Sequence, residues 1–281
     1  TGHLNRIERF TRLRRKLGWS VYELDAVLAA LGGALDAQTL VNLAFVKALH
    51  EQLDADLPVI AGWVADLDTR GYLGDDDEHH PSYYASLFLN RTVGSADELA
   101  PFEPSALGGV SIDDHEAAIL AALQIITAEE LALIRERRLA DDSLSLANLS
   151  ELHRVATFKR ALRISVRELL DLLDLTGLDP FDTASLHDAL RVIDLLDTIE
   201  AADFSLAELV YLLRHEFVGS RRAAPTEAQI GVFLTQLRAG LQRIRASFQA
   251  APDPDGEITA RLLSAVVPAD DLAPTVALIG G

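Results

Sequence analysis

The sequence predicts an all-α protein, an irregular array of helix-turn-helix units with short capped connections. Three observations lead there. Apolar residues recur every three or four positions along most of the chain, no segment alternates long enough to demand a strand, and one punctuating motif occurs four times. That motif is an apolar residue, Ser or Thr, two further residues, Glu and Leu. Its copies are Trp19-Ser20-Val21-Tyr22-Glu23-Leu24, Ile126-Thr127-Ala128-Glu129-Glu130-Leu131, Ile164-Ser165-Val166-Arg167-Glu168-Leu169 and Phe204-Ser205-Leu206-Ala207-Glu208-Leu209. In each, the hydroxyl of Ser20, Thr127, Ser165 or Ser205 is placed to accept from the backbone N–H three residues on. The carboxylate of Glu23, Glu130, Glu168 or Glu208 reaches back to the N–H of the hydroxyl residue. Both donors belong to a first turn, whose N–H groups have no partner inside the helix. The flanking pairs, Trp19 with Leu24, Ile164 with Leu169 and Phe204 with Leu209, are spaced as hydrophobic staples that fix the entry angle of the preceding helix. Each copy follows another helical pattern, so the repetition points to a stacked array.

The first helix is expected from Leu4 to Leu17 and the second from Val21 to Leu31, with Val21, Leu24, Leu28 and Leu31 as its stripe. Gly18 supplies a left-handed stop between them, letting Trp19 pack on Leu13 and Leu24. A further helix fits Ala37 to Leu53, and a shorter one follows Pro58. The run Asp75-Asp76-Asp77-Glu78-His79-His80-Pro81 breaks the pattern and reads as an acidic loop. Gly94, Pro101, Pro104, Gly108 and Gly109 then mark a long connection holding short helices near Tyr83 to Leu89 and Ala96 to Ala100. Helices resume at Asp113 to Leu123, Ala128 to Arg138, Leu146 to Leu162, Val166 to Leu175, Thr183 to Thr198 and Leu206 to Phe217. After Pro225, the residues Ile230, Phe233, Leu237, Leu241, Ile244 and Phe248 describe a long amphipathic helix expected to pack along a neighbour. The stretch from Ala251 to Gly256 ends it, ahead of one short helix and a small-residue tail. These breaks divide the chain into an N-terminal helical lobe at 1–75, an irregular connection at 76–111, a helical-repeat lobe at 112–250 and a C-terminal tail at 251–281.

Charge and composition narrow the function. The 43 acids against 25 Lys and Arg give a net charge of -18, which repels phosphate backbones and anionic headgroups, so nucleic acid is not expected as a partner. With no cysteine, disulfides, thiolate metal sites and a Cys nucleophile are excluded. No apolar stretch approaches the roughly 20 residues that span a bilayer, and direct membrane insertion by this segment is not expected. Thr1-Gly2-His3-Leu4 carries neither an initiator Met nor a secretory signal, and the chain is expected to be a piece of a longer polypeptide.

Several longer runs are familiar. Arg9-Phe10-Thr11-Arg12-Leu13-Arg14-Arg15-Lys16-Leu17-Gly18-Trp19-Ser20-Val21-Tyr22-Glu23-Leu24-Asp25, then Leu87-Phe88-Leu89-Asn90 within Tyr84 to Val93, stand in this order. Leu149-Ser150-Glu151-Leu152-His153-Arg154 follows, continuing through Arg160-Ala161-Leu162 and Ser165-Val166-Arg167-Glu168-Leu169-Leu170 to Thr176-Gly177-Leu178-Asp179-Pro180-Phe181. Together they resemble the A component of bacterial insecticidal toxin complexes, the Tc toxins of the virulence-plasmid A-protein type. The resemblance implies part of the helical shell of a very large, bell-shaped pentamer that surrounds a translocation channel and delivers an enzyme carried by partner subunits. Its partners would be other domains and protomers of the parent toxin and a host-cell surface receptor, and its location secreted or on the bacterial cell surface. The length and the acidic loop depart from that family's pattern, and its shell offers no catalytic residues to carry over.

Other constellations give way to simpler readings. Asp75 to His80 offers carboxylates and two imidazoles, but adjacent side chains do not converge on one ion without a distant ligand. Asp253-Pro254-Asp255-Gly256 lacks the ligand spacing of a calcium loop and reads as a turn. His115-Glu116 and His215-Glu216 begin like a zinc-protease motif, yet Ile119 and Gly219 occupy the second histidine's place. The basic clusters Arg12, Arg14, Arg15, Lys16 and Lys159, Arg160, Arg163 stand at helix C-termini, where the macrodipole favours cations. No catalytic residue, metal or cofactor is expected, and the site residues are structural caps and staples. The expected function is a structural and interaction segment of a toxin shell. The alternatives are a free-standing helical-repeat adaptor that binds a protein in a groove and, less simply, a metal enzyme centred on His79 and His80.

Overall fold

The computed structural model describes residues 2–74, 78–92, 94–124, 126–215, 226–247 and 253–280. It divides into two compact units, Thr1–Ala223 and Ala224–Gly281. Their boundary falls inside the stretch 112–250 that the sequence reads as one lobe.

The first unit opens with α1 (Gly2–Leu17), α2 (Val21–Ala30), α3 (Ala37–Leu53) and α4 (Leu57–Val64). After β1 (Tyr72–Leu73) and β2 (His79–His80) come the short α5 (Tyr83–Phe88) and α6 (Ala96–Leu99). The array continues with α7 (Glu116–Leu123), α8 (Ala128–Arg138), α9 (Leu146–Leu162), α10 (Val166–Thr176), α11 (His187–Ala201) and α12 (Leu206–Arg214), with 3-10 turns at Ala100–Phe102, Asp113–His115 and Thr183–Ser185. All-α is therefore the fold class, as the periodicity predicts.

Within this unit α2 packs on α4, α4 on α9, α9 on α8 and α10, and α10 on α12, while α3 touches both α4 and α11. One apolar core runs through them. Leu24, Val46, Ile60, Trp63, Tyr84, Ile119, Leu131, Leu152, Phe158 and Leu169 are all sealed from solvent. Tyr84, Phe88 and Phe102, from the stretch read as a connection, share that core. The Tyr84 hydroxyl donates to the Phe102 carbonyl at 2.7 Å, and Ile112 N–H and Leu144 N–H bond across to Asp142 and Val110.

Two local differences from the sequence reading have plain causes. Of the acidic run, Asp75 to Asp77 lie outside the described residues, but Tyr72 pairs with His80 and Leu73 with His79 in an antiparallel ladder. Two residues per strand are too few to show alternation. The short helix expected after Gly256 is α14 (Glu257–Leu263), and the small-residue tail behind it is instead a second helix, α15 (Ala269–Gly280), which packs on α14. Asp253 caps the first of them by accepting from Ile258 N–H at 3.1 Å and Thr259 N–H at 2.7 Å.

The second unit also contains α13 (Glu227–Ser247), the long amphipathic helix. Its apolar stripe is exposed among the described residues. No single described helix is long and apolar enough to cross a membrane.

Candidate functional site

All four predicted capping boxes form. Ser20 N–H donates to the Glu23 carboxylate at 2.7 Å and Glu23 N–H to the Ser20 hydroxyl at 3.1 Å. Thr127 and Glu130 exchange the same bonds at 3.2 Å each way. Ser165 with Glu168 and Ser205 with Glu208 do so at 2.8 and 3.2 Å. Two further boxes escaped the motif. Ser95 with Glu98 follows Gly94 rather than an apolar residue, and Thr226 makes the reciprocal bonds with Gln229 in place of Glu.

The staples are less uniform than the boxes. Trp19, Leu24, Ile126, Leu131 and Leu169 are buried and Ile164 half-buried, but Phe204 is 47% exposed over a half-buried Leu209. A second regularity accompanies the boxes. Gly18, Arg163 and Asp203 each stand two residues before the capping serine at φ 78, 59 and 60, and Gln124 stands three before Thr127 at φ 52. A left-handed residue turns the chain out of one helix before the next begins. Glycine alone advertises this in a sequence.

Glu130 does more than cap. Besides Thr127 N–H, its carboxylate accepts from the Lys159 ammonium at 3.1 Å and from Val166 N–H at 3.2 Å. One side chain thus joins the start of α8, the end of α9 and the start of α10. Burial raises its pKa, but the bonds from Val166, Lys159 and Thr127 together hold it below the usual carboxylate value. The basic clusters have architectural partners too. Arg12 pairs with Glu8 at 2.6 Å, and Arg14 Nε donates to the Trp19 carbonyl at 3.3 Å.

The sequence reading missed a polar seam between α4 and α9. Trp63 Nε1 donates to the Thr157 hydroxyl at 2.8 Å, Leu67 N–H to the Ser150 hydroxyl at 3.0 Å, and Arg154 Nε to the Gly62 carbonyl at 3.2 Å. His153 lies fully buried at its centre, with Nε2 3.0 Å from the Tyr83 hydroxyl and no hydrogen-bond partner for Nδ1 among the described residues. A Cβ on Gly62 would stand 3.0 Å from the imidazole, so a larger residue there would press on His153 and require it to shift by a few tenths of an ångström. Burial, with Arg154 nearby, lowers the His153 pKa to about 3, so the ring is neutral near pH 7. A readable signal existed: Leu149, Leu152, His153 and Ala156 share one helical face, which makes His153 an inward residue.

Beside the seam lies a pocket of about 240 Å³ lined by Tyr22, Ala26, Ala61, Gly62, Tyr83 and Arg70 among others. Tyr22 stacks on Tyr72 with ring centroids 3.6 Å apart, and Tyr72 on His80 at 5.2 Å. Burial first, then Tyr72 and Asp68, pushes the Tyr22 phenol up to about 12. Arg70 and Asp68 at the rim neutralise each other at 3.0 Å. His79 and His80, adjacent on a strand, point to opposite faces and do not converge. Among the described residues no group of three His, Cys, Asp or Glu is placed to hold a metal ion. The seam and the capping boxes fix helices against one another. No family model matches the chain, and no curated protein does.

Proposed function

We propose that this chain is a structural and interaction segment of the helical shell of a Tc toxin A component, with no chemistry of its own. The reading is supported by the stop, apolar residue and capping box, whose copies at Ser20 and Ser165 lie within the residue runs that resemble that family. A shell segment needs consecutive helices held at set angles, and the boxes at Ser20, Thr127, Ser165 and Ser205 supply that. Its partners are other domains and protomers of the parent toxin, with a host-cell surface receptor as the outer target, and its place is secreted or on the bacterial surface. Negative-stain images of the intact parent test the reading. A bell-shaped pentamer is expected, and a compact monomer overturns it. A parent reading frame closing near Gly281 would replace it with a free-standing helical-repeat adaptor.

A further inference from the structure

The pocket beside the α4–α9 seam is walled by side chains too small to fill it. Ala26, Ala29 and Ala30 line it from α2, and Ala61, Gly62 and Ala65 from α4 and the residue after it. An apolar cavity of about 150 Å³ is enough to take benzene. At about 240 Å³ this one has room for a single ring with a small substituent. Its charged rim is already paired within the fold, Asp66 with Arg154 at 3.3 Å and Asp68 with Arg70 at 3.0 Å. No charge is left over to select an ion.

Two phenol hydroxyls on the wall have a proton to give. That of Tyr22 has no hydrogen-bond partner among the described residues. That of Tyr83 faces His153 Nε2 at 3.0 Å, and which of the two donates depends on where the imidazole carries its proton. A Cβ on Gly62 would stand 3.1 Å from His153 Nδ1, so the glycine's own C–H on that side is directed at this nitrogen. A lone pair tolerates a C–H there, whereas an N–H would meet it hydrogen against hydrogen. The neutral ring therefore holds its proton on Nε2 and donates it to Tyr83, whose own hydrogen is left without an acceptor in the fold. The two phenols are near enough for the charge of Tyr22 to raise the pKa of Tyr83.

We propose that this pocket binds a small neutral molecule in which one ring carries a carbonyl group, the ring among the alanines and the carbonyl oxygen accepting from Tyr83 and Tyr22. A carbonyl oxygen has two lone pairs and so can serve both hydroxyls. A plain hydrocarbon of that size leaves both unpaired. A carboxylate meets Asp66 and Asp68 at the rim, and an ammonium offers the phenols no acceptor. The site does not depend on the toxin reading.

Isothermal titration calorimetry of the full 281-residue chain tests it with benzamide as the ligand and benzoate and benzylamine as its charged counterparts. Benzamide is expected to saturate a single site, and both ions to bind severalfold more weakly. Tyr22→Phe removes a hydroxyl that the fold does not use, so it should leave thermal unfolding unchanged and weaken benzamide severalfold. Ala30→Leu puts a larger side chain into the space and should abolish binding while circular dichroism stays that of the wild type. Wild-type chain that gives no saturable heat with benzamide overturns the proposal. So does an affinity unchanged in either variant, which places the ring elsewhere, and so does benzoate binding more tightly than benzamide, which makes the site one for anions.

Discussion

Thr127 with Glu130 and Ser205 with Glu208 are the same local structure in different surroundings. Both close a first turn with reciprocal hydrogen bonds of about the same length. Around the first, Ile126 and Leu131 are buried and Glu130 also holds Lys159 and the start of α10. Around the second, Phe204 is on the surface and Leu209 only half-covered. The motif decides where a helix starts, and what packs on it decides how much that start contributes to stability. The difference between the two is measurable.

The largest expected effect separates the staples. Leu131→Ala empties a fully buried position and should destabilise by roughly 2–5 kcal/mol. Leu209→Ala, already half in water, should lose less than half as much. Denaturant unfolding of both variants reads this directly, and equal losses would remove burial as the deciding factor.

The carboxylates come next. Glu130→Ala deprives Val166 N–H and Lys159 of their partner as well as opening the box, and should cost about 2 kcal/mol. Glu208→Ala opens its box and should cost roughly 0.5–1 kcal/mol. The pH dependence follows in sign. The folded-state pKa of Glu130 is depressed, so its contribution is full above its unfolded value near about 4.3 and is lost as pH falls through the lower folded value. Glu130→Gln should remove that part of the acid sensitivity, which unfolding midpoints below pH ~5 would reveal.

The α4–α9 seam responds at a higher pH than the boxes, because its titrating group is an imidazole. His153 is neutral in the fold down to about 3, whereas the unfolded chain takes up its proton near the ordinary value of 6.5. Between those values the unfolded state binds more protons, so stability falls with falling pH. From about pH 6.5 to about 5, above most carboxylate titration, the loss should reach roughly 2 kcal/mol. His153→Gln should flatten that interval whatever its effect at neutral pH. An unchanged slope in the variant would show that the ring is not the source.

These contrasts bear on what a sequence can disclose. Boxes are local, four residues bonded among themselves, and Ser20, Thr127, Ser165 and Ser205 announce them by type and spacing. The helices beginning at Ala37, Ala128, Leu146 and Val166 start where the apolar period and caps place them. Ser95 was hidden because Gly94 stands where the motif has an apolar residue, Thr226 because Gln229 replaces the Glu, and the β1–β2 ladder because two residues cannot display a period. The partners of Glu130 and His153 lie 29 and 70 residues away in sequence, and only the packing brings them together. The exposure of Phe204 was likewise illegible, since the same pattern of an aromatic residue ahead of Ser-x-x-Glu-Leu buries Trp19.

Positive φ gives the most delicate comparison, because Gly18 and Arg163 perform the same turn with different residues. Both stand two before a capping serine, at φ 78 and φ 59. Left-handed backbone is disfavoured by roughly 1 kcal/mol for a residue with a Cβ, and glycine escapes that at some expense in unfolded-state entropy. No heavy atom lies within 4 Å of where a Cβ on Gly18 would stand, so Gly18→Ala carries only the backbone strain, about 1 kcal/mol. Arg163→Gly should do the reverse and stabilise by up to about 1 kcal/mol, its N–H still bonded to the Arg160 carbonyl. Thermal unfolding of the two variants measures the pair. If Arg163→Gly instead destabilises by as much as Gly18→Ala, the arginine contributes contacts that outweigh its strain, and the two turns are alike in shape only.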